Sequence, residues 1–389
     1  MVSVQRVNFG PYHPSIKGMV RFVLELEGET IQKGTCYAGF THRGLEKILE
    51  AKPFIKVQKI LENADKNFLT PFSFSYAFAL GMETLQKEQA PVRGQFSRVI
   101  LAELGRIFCH LNQIAAISES IDFHLISSWA LNLVEELDGL FIALSDTHKV
   151  HIVPGGISAE LSLKLLQEIR ALSQKINQDV SRIKNALLHN AIFKLRATQV
   201  GVVSEVEAMA WGLSGPILRA SRIGWDLRKA KPYDIYTLLD FKIPVGAQGD
   251  SFERTAVRIE EIFQSVSIIC QCVELMPREG EVNSFYNAQQ QGCKGKGLST
   301  EAMITHYKFF TGSVPLKSGQ PYVAIEGARG ELGLFLSYHE GMNTFDRVRL
   351  RTPSFFNLQT LEALIKGHMF SDLPLLFNSF DIYSAEVDR

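Results

Sequence analysis

Phe96-Ser-Arg-Val-Ile-Leu-Ala-Glu-Leu-Gly-Arg-Ile-Phe-Cys-His-Leu-Asn-Gln-Ile114 carries its apolar side chains at three- and four-residue steps: Phe96, Val99, Ile100, Leu104, Ile107, Phe108, Leu111 and Ile114. At about 3.6 residues per turn these positions stack into one stripe, so the stretch reads as part of a helix of about seven turns. Leu165, Ile169, Leu172, Ile176, Val180, Ile183 and Leu187 repeat the pattern, and Val257, Ile259, Ile262, Phe263, Val266 and Ile269 begin it again over 251–275. Long stripes of this kind bury against one another, which predicts a helix bundle at the centre of the molecule. Outward from the bundle the period changes. Phe22, Leu24 and Leu26 alternate with Val23, Glu25 and Glu27 before Gly28, a strand running into a turn. Tyr322–Tyr338 sets two apolar runs around a Gly-rich turn, a hairpin signal, and a short helix follows at 358–366. The expected fold is α+β, mainly α. A small N-terminal sheet spans 1–42, a helical bundle 43–200, a loop-rich segment with further helices 201–320, and a C-terminal β-hairpin and tail 321–389, all in one compact unit. Pro154-Gly155-Gly156 separates the bundle's halves, and Ser158 is a candidate N-cap for its second long helix.

The 389 residues hold 41 Lys+Arg and 41 Asp+Glu, a formal charge of zero that lacks the basic footprint of a nucleic-acid binder. The 26 Phe imply large cores, large interfaces or both. Five scattered cysteines, with no Cys-x-x-Cys pair, are not a disulfide framework; Cys270 and Cys272 lie in an apolar run and read as core residues. The N-terminus lacks an apolar signal segment. The most apolar stretch, 68–82, is interrupted by Thr70, Pro71, Ser73 and Ser75 and falls short of the ~20 residues a membrane span needs.

Short motifs say little about chemistry. No phosphate-binding glycine loop, nucleophile elbow or His-Glu-x-x-His is present, and Cys293-Lys-Gly-Lys is a basic loop without the rest of a nucleotide motif. His13, between Pro11 and Pro14, reads as a rigid turn histidine. His148 and His151 are spaced for a metal, yet no carboxylate sits at matching spacing, so solvated or capping roles stand beside that reading.

Longer strings carry a resemblance. Gly10-Pro-Tyr-His-Pro-Ser-Ile-Lys-Gly-Met-Val-Arg21, Thr41-His-Arg-Gly-Leu-Glu-Lys47, Ala208-Met-Ala-Trp-Gly-Leu-Ser-Gly-Pro-Ile-Leu-Arg219, Trp225-Asp-Leu-Arg-Lys-Ala-Lys-Pro-Tyr-Asp-Ile-Tyr236, Ile325-Glu-Gly-Ala-Arg-Gly-Glu-Leu-Gly333 and Asp381-Ile-Tyr-Ser-Ala-Glu-Val-Asp-Arg389 occur in the order found in the 49-kDa, or D, subunit family of respiratory complex I. That family is homologous to the large subunit of nickel-iron hydrogenases, which hold their metal through two Cys-x-x-Cys pairs. Here Leu61–Phe68 and Tyr383–Glu386 stand in those places without a cysteine, which excludes hydrogenase chemistry because a nickel-iron centre needs soft thiolates.

The resemblance implies a subunit of a proton-translocating NADH:quinone oxidoreductase. It would bind no cofactor or metal of its own and form a quinone cavity beside the terminal iron–sulfur cluster of a neighbouring subunit. Iron–sulfur clusters, FMN and NADH would belong to partner subunits. The implied partners are the cluster subunit of the quinone module, a 30-kDa-type subunit and the membrane-arm subunit at the quinone entrance. The implied location is peripheral to the mitochondrial inner membrane on the matrix side, or to the bacterial plasma membrane on the cytoplasmic side. A mainly structural subunit with weakened quinone chemistry is the alternative. The family's quinone-binding His and Tyr correspond to Lys17 and Phe68, and His148 to a His near the cluster. His13, Lys17 and Phe68 are expected to line one pocket, with the 10–18 loop projecting towards a helix that starts near Phe68 and Asp122 supplying the carboxylate for Lys17. A lysine left in water is a poor proton donor at neutral pH, and phenylalanine is none.

Overall fold

The stripe from Phe96 to Ile114 lies within α4 (Val92–Glu119), a helix buried along most of its length. The chain is described from a computed structural model over residues 4–284 and 316–389. Three antiparallel strands open it: β1 (Gln5–Phe9), β2 (Arg21–Glu27) and β3 (Thr30–Tyr37). Next come α1 (Leu45–Ala51), α2 (Phe54–Asn67), α3 (Ser73–Gln86), α4 and α5 (His124–Ile142). After one π-turn (Ala143–Thr147), the two-residue strands β4 (Ile152–Val153) and β5 (Gly156–Ile157) form a small hairpin. The second stripe becomes α6 (Leu163–Leu188). Its N-cap is Ser162, whose hydroxyl accepts from the Leu165 N–H; Ser158, favoured by sequence, is instead tied into the hairpin through the His151 N–H and Lys149 carbonyl.

The loop-rich stretch holds only short helices, including Pro216–Ala220 and Leu227–Ala230, before the third long helix, Ser251–Leu275. The expected hairpin is Tyr322–Glu326 paired with Glu331–Ser337, and a third strand, Arg347–Arg351, extends it. The helix expected at 358–366 begins earlier, at Pro353, because proline suits a first helical turn. Leu373–Phe380 and Ser384–Asp388 are the last two helices. The fold is mainly helical with small antiparallel sheets near both ends of the chain. Of the two cysteines expected in the core, Cys272 is buried and Cys270 is half-buried against that core, whereas Cys293 lies outside the described residues. No described helix is long and apolar enough to cross a membrane.

Two apolar cores form among the described residues. The larger one joins α2 to α6 with the Ser251–Leu275 helix and the C-terminal sheet. In the smaller one Phe22, Leu24 and Ile31 of the first sheet meet Leu361, Phe377 and Phe380 near the end of the chain. Thr41 and Gly39 donate to the Asp388 carboxylate, so the chain's two ends close on each other.

The turn from α2 into α3 is held by one buried carboxylate. Asp65 accepts from the Phe74 N–H (2.6 Å), the Ser75 N–H (3.1 Å) and the Ser75 hydroxyl (2.6 Å), capping α3 from the preceding helix. Burial pushes its carboxyl up to about 7, although these hydrogen bonds pull the other way. Asp65→Ala strands three buried donors and is expected to cost about 1–3 kcal/mol, with Asp65→Asn losing less. The folded protein holds this proton more tightly than the unfolded chain, so the carboxyl erodes stability as pH rises from about 4 to about 7. Thermal denaturation of the assembled protein across that range checks both points: Asp65→Asn should flatten that part of the profile.

Candidate functional site

Four separate parts of the chain meet beside the middle of α4: the 10–19 loop, the end of α2, the 327–330 turn and the C-terminal tail. The loop is pinned to the tail. The Met19 N–H donates to the Ser384 hydroxyl (2.9 Å), and Asn378 Nδ2 donates to the Ser15 carbonyl (3.0 Å). Gly18, at φ +87°, lies so close to Ser384 that a Cβ there would sit 2.0 Å from its hydroxyl, so only glycine fits.

This anchoring carries Lys17 inward. Its Nζ donates to the Asn112 carbonyl (2.9 Å) and to Gln113 Oε1 (3.0 Å), both on α4. Burial lowers the ammonium's pKa to about 8, against the attraction of Asp381; Arg329 and Arg258 add repulsion. Asp381 is itself buried, which favours its neutral form, but Arg329, Lys17 and Arg258 hold it below the usual carboxylate range. Its Oδ2 and the Gln113 Nε2 are buried without a hydrogen-bond partner among the described residues.

Arg329 ties the site together. Its NH1 donates to the Phe68 carbonyl (2.7 Å) and to Glu386 Oε2 (2.9 Å), and its Nε lies 3.3 Å from Asp381 Oδ1. The segments Leu61–Phe68 and Tyr383–Glu386 therefore meet across a buried guanidinium. That arrangement does not fit a nickel-iron centre: the bridging group is a cation and neither segment offers a thiolate. Cys109 is close by, but its Sγ donates to the Leu69 carbonyl (3.0 Å), and burial pushes its pKa to about 12, so it stays a thiol.

The residues expected in the pocket divide. Lys17 and Phe68 come to the same place, with Arg329 acting on both. Phe68 ends α2 instead of starting a helix; Leu69 and Phe72 take positive φ, and α3 begins only at Ser73. The Phe68 ring is buried edge-on against Phe74, centroids 5.1 Å apart. His13 turns the other way and stacks on Phe9 at 4.1 Å, with Nδ1 accepting from the Ser15 N–H. Asp122 is exposed in the left-handed turn between α4 and α5, where water solvates it at no cost. The carboxylate acting on Lys17 is Asp381, a correction to the expected pairing. His148 is exposed just after the π-turn. His151 lies 3.8 Å from Glu62, and both line a cavity of about 250 Å³ together with Leu69, Phe72, Phe108 and Phe141.

Asp381 and Arg329 belong to strings that already carried the resemblance, so their surroundings pointed to them. Gln113 had a weaker signal, a polar residue set between the apolar Leu111 and Ile114.

Comparison with known proteins identifies the family of the chain. Residues 130–389 match the family described as "Respiratory-chain NADH dehydrogenase, 49 Kd subunit". Relatives named as the D subunit of NADH-quinone oxidoreductase are similar along nearly the whole chain. The protein of Rickettsia typhi is 36% identical over 386 residues (98% of each chain). That of Anaplasma marginale is 37% identical over 391 residues (98% of this chain, 96% of its own). That of Wolbachia pipientis subsp. Culex pipiens is 35% identical over 388 residues (98% of each). With more than half its length matched by the family and full-length relatives above 30% identity, the chain belongs to the 49-kDa subunit family of respiratory-chain NADH dehydrogenase.

Proposed function

We propose that this chain is the quinone-cavity subunit of a multi-subunit NADH:quinone oxidoreductase, with Lys17 as the group that meets the quinone head. The observation that carries the reading is the partly buried Lys17, whose ammonium is held by Gln113 and Asn112 where the two cysteine-free segments meet. The relatives' name, NADH-quinone oxidoreductase, supplies the substrate class.

Reducing a quinone to a quinol takes two electrons and two protons. The electrons would come from the iron–sulfur cluster of a neighbouring subunit, reached near the exposed His148. This chain's share is binding, orientation and protons. An ordinary lysine gives up its proton too reluctantly for neutral pH, but burial of Lys17 supplies the exception, with a pKa of about 8. Below that value Lys17 is charged and can give a quinone oxygen a proton or a charge-assisted hydrogen bond; above it the neutral amine keeps only a weaker hydrogen bond. The 30-kDa-type and membrane-arm subunits complete the implied assembly. The relatives are bacterial, which favours a place peripheral to the plasma membrane on its cytoplasmic side. The alternative, a mainly structural role, draws on Phe68, which has no hydroxyl to give.

The test is Lys17→Met in the assembled complex. Quinone reductase activity should fall at least about tenfold, the order of one charge-assisted contact. NADH oxidation by ferricyanide should persist, because ferricyanide takes electrons upstream. In the unmodified complex quinone reduction should decline as pH rises through about 8. Unchanged quinone reduction in the variant would leave the structural reading standing.

A further inference from the structure

If the quinone head does lie at Lys17, Phe68 still leaves it one donor short: the ring carries no hydroxyl and packs edge-on against Phe74. A buried donor already stands beside Lys17. Gln113 is fully buried on α4. An ammonium only donates, so the amide atom facing Lys17 Nζ at 3.0 Å must be the oxygen, and this fixes the amide's orientation. That leaves Nε2 as the amide atom not engaged by Lys17, buried and unpartnered among the described residues. Leaving such a donor unmatched costs roughly 1–3 kcal/mol, so the working site is expected to supply an acceptor. Lys17 uses two of its three hydrogens on Asn112 and Gln113, leaving one. Two neighbouring donors with hydrogens to spare, one partly and one fully buried, suit a ligand oxygen that only accepts, as a quinone carbonyl does. Thr70 offers another unpartnered buried hydroxyl near Phe68, but no contact ties it to Lys17. The Cys109 thiol is committed to Leu69.

We propose that Gln113 is a quinone-binding and positioning residue: its Nε2 donates to the quinone head group while its Oε1 holds Lys17 in place to do the same. The inference rests on the quinone-cavity reading above. It assigns the second donor of the head group to α4 and not to the end of α2.

The experiment uses Gln113→Leu and Gln113→Glu in the assembled complex beside Lys17→Met, with decylubiquinone as probe, co-purification of this chain with the complex as the check on assembly and NADH–ferricyanide activity as the check on upstream electron entry. Both Gln113 variants remove the N–H donor, so both should raise the KM for the quinone about tenfold. They should move the alkaline limb of the pH profile in opposite directions. Leucine removes an acceptor that stabilises the ammonium, so the limb shifts to lower pH. Glutamate sets a carboxylate against the ammonium, so the limb shifts to higher pH. The other charged and titratable groups facing Lys17, namely Asp381, Arg329, Arg258 and the Cys109 thiol, are the same in both variants. A merely structural glutamine, or one bound to a water, gives no such split together with a raised KM. Glutamate is isosteric and carries the test if leucine does not assemble. A KM within twofold of the unmodified complex, with ferricyanide activity intact, overturns the assignment. If Lys17→Met lowers quinone reduction while the Gln113 variants keep their KM, this inference alone falls. If Lys17→Met changes nothing, the quinone-cavity reading falls with it.

Discussion

Glu103→Ala is expected to cost about 3–5 kcal/mol and to leave little or no assembled complex, the usual result of stripping one partner from a buried ion cluster. Glu103 lies on α4 with no exposure to water. Its carboxylate accepts from Arg228 NH1 (3.1 Å), Arg106 Nε (3.2 Å), the Tyr236 hydroxyl (2.7 Å) and the Ser265 hydroxyl (2.6 Å). Burial alone would push its carboxyl up; Arg106 and Arg228 outweigh that and hold it below the usual range. Alanine leaves two guanidiniums facing each other in the core. Arg228 keeps Asp226 at 2.7 Å, whereas Arg106 keeps the carbonyls of Glu326 and Gly327 and the more distant attraction of Glu261. Glu103→Gln preserves shape and the two hydroxyl contacts, so its loss should be smaller. Combining Glu103→Ala with Arg228→Met should cost less than the sum of the two single changes, because each removes the other's reason for being buried. Assembly yield and resistance to heat inactivation measure these effects. An alanine variant within about 1 kcal/mol of the unmodified protein would show that the cluster does not hold α4 to the loop-rich segment.

The same cluster marks where sequence reading stops. The apolar stripes placed α4, α6 and the 251–275 helix because a long helix must bury its apolar face somewhere. The stripe argument also turns the opposite face to water, and there α4 departs from it. Glu103, Arg106 and His110 are as buried as Leu104 and Ile107. They go inside because partners from distant sequence meet them: Arg228 faces Glu103, and Glu261 accepts from His110 Nε2 at 2.8 Å. Nothing in a local period signals a partner more than a hundred residues away. The candidate site behaves likewise. Gly18, Lys17 and the tail from Asp381 were legible as strings, and so was the absence of cysteine in both metal-site segments. That Asp381, and not the nearer Asp122, faces Lys17 depends on the chain's end folding back onto its beginning, as the Thr41–Asp388 contacts show. Asp122 instead follows local rules: a left-handed turn position with a short polar side chain, left in water.

Arg329→Met should have the second large effect, because one side chain there does three jobs. Its guanidinium compensates Glu386 and Asp381, both buried, and supplies the donor that holds the Phe68 carbonyl where α2 ends. Methionine matches much of its length but leaves both carboxylates short of charge and the carbonyl short of a donor, a loss of about 3–5 kcal/mol that should appear as poor assembly. Glu386 keeps the Ser354 hydroxyl at 2.7 Å, while Asp381 keeps the attraction of Lys17 and Arg258. That leftover attraction gives a second readout in whatever complex survives. Arg329 repels the Lys17 ammonium, so its removal raises the Lys17 pKa from about 8. The alkaline decline of quinone reduction should therefore move to higher pH. Arg329→Lys, which keeps the charge but not the forked geometry, should recover part of the assembly and leave the decline near its original pH. A methionine variant that assembles poorly with an unmoved alkaline limb would mean that Arg329 supports only the fold. One that assembles normally would mean that the two carboxylates are compensated from elsewhere, and that the guanidinium is not what joins the end of α2 to the tail.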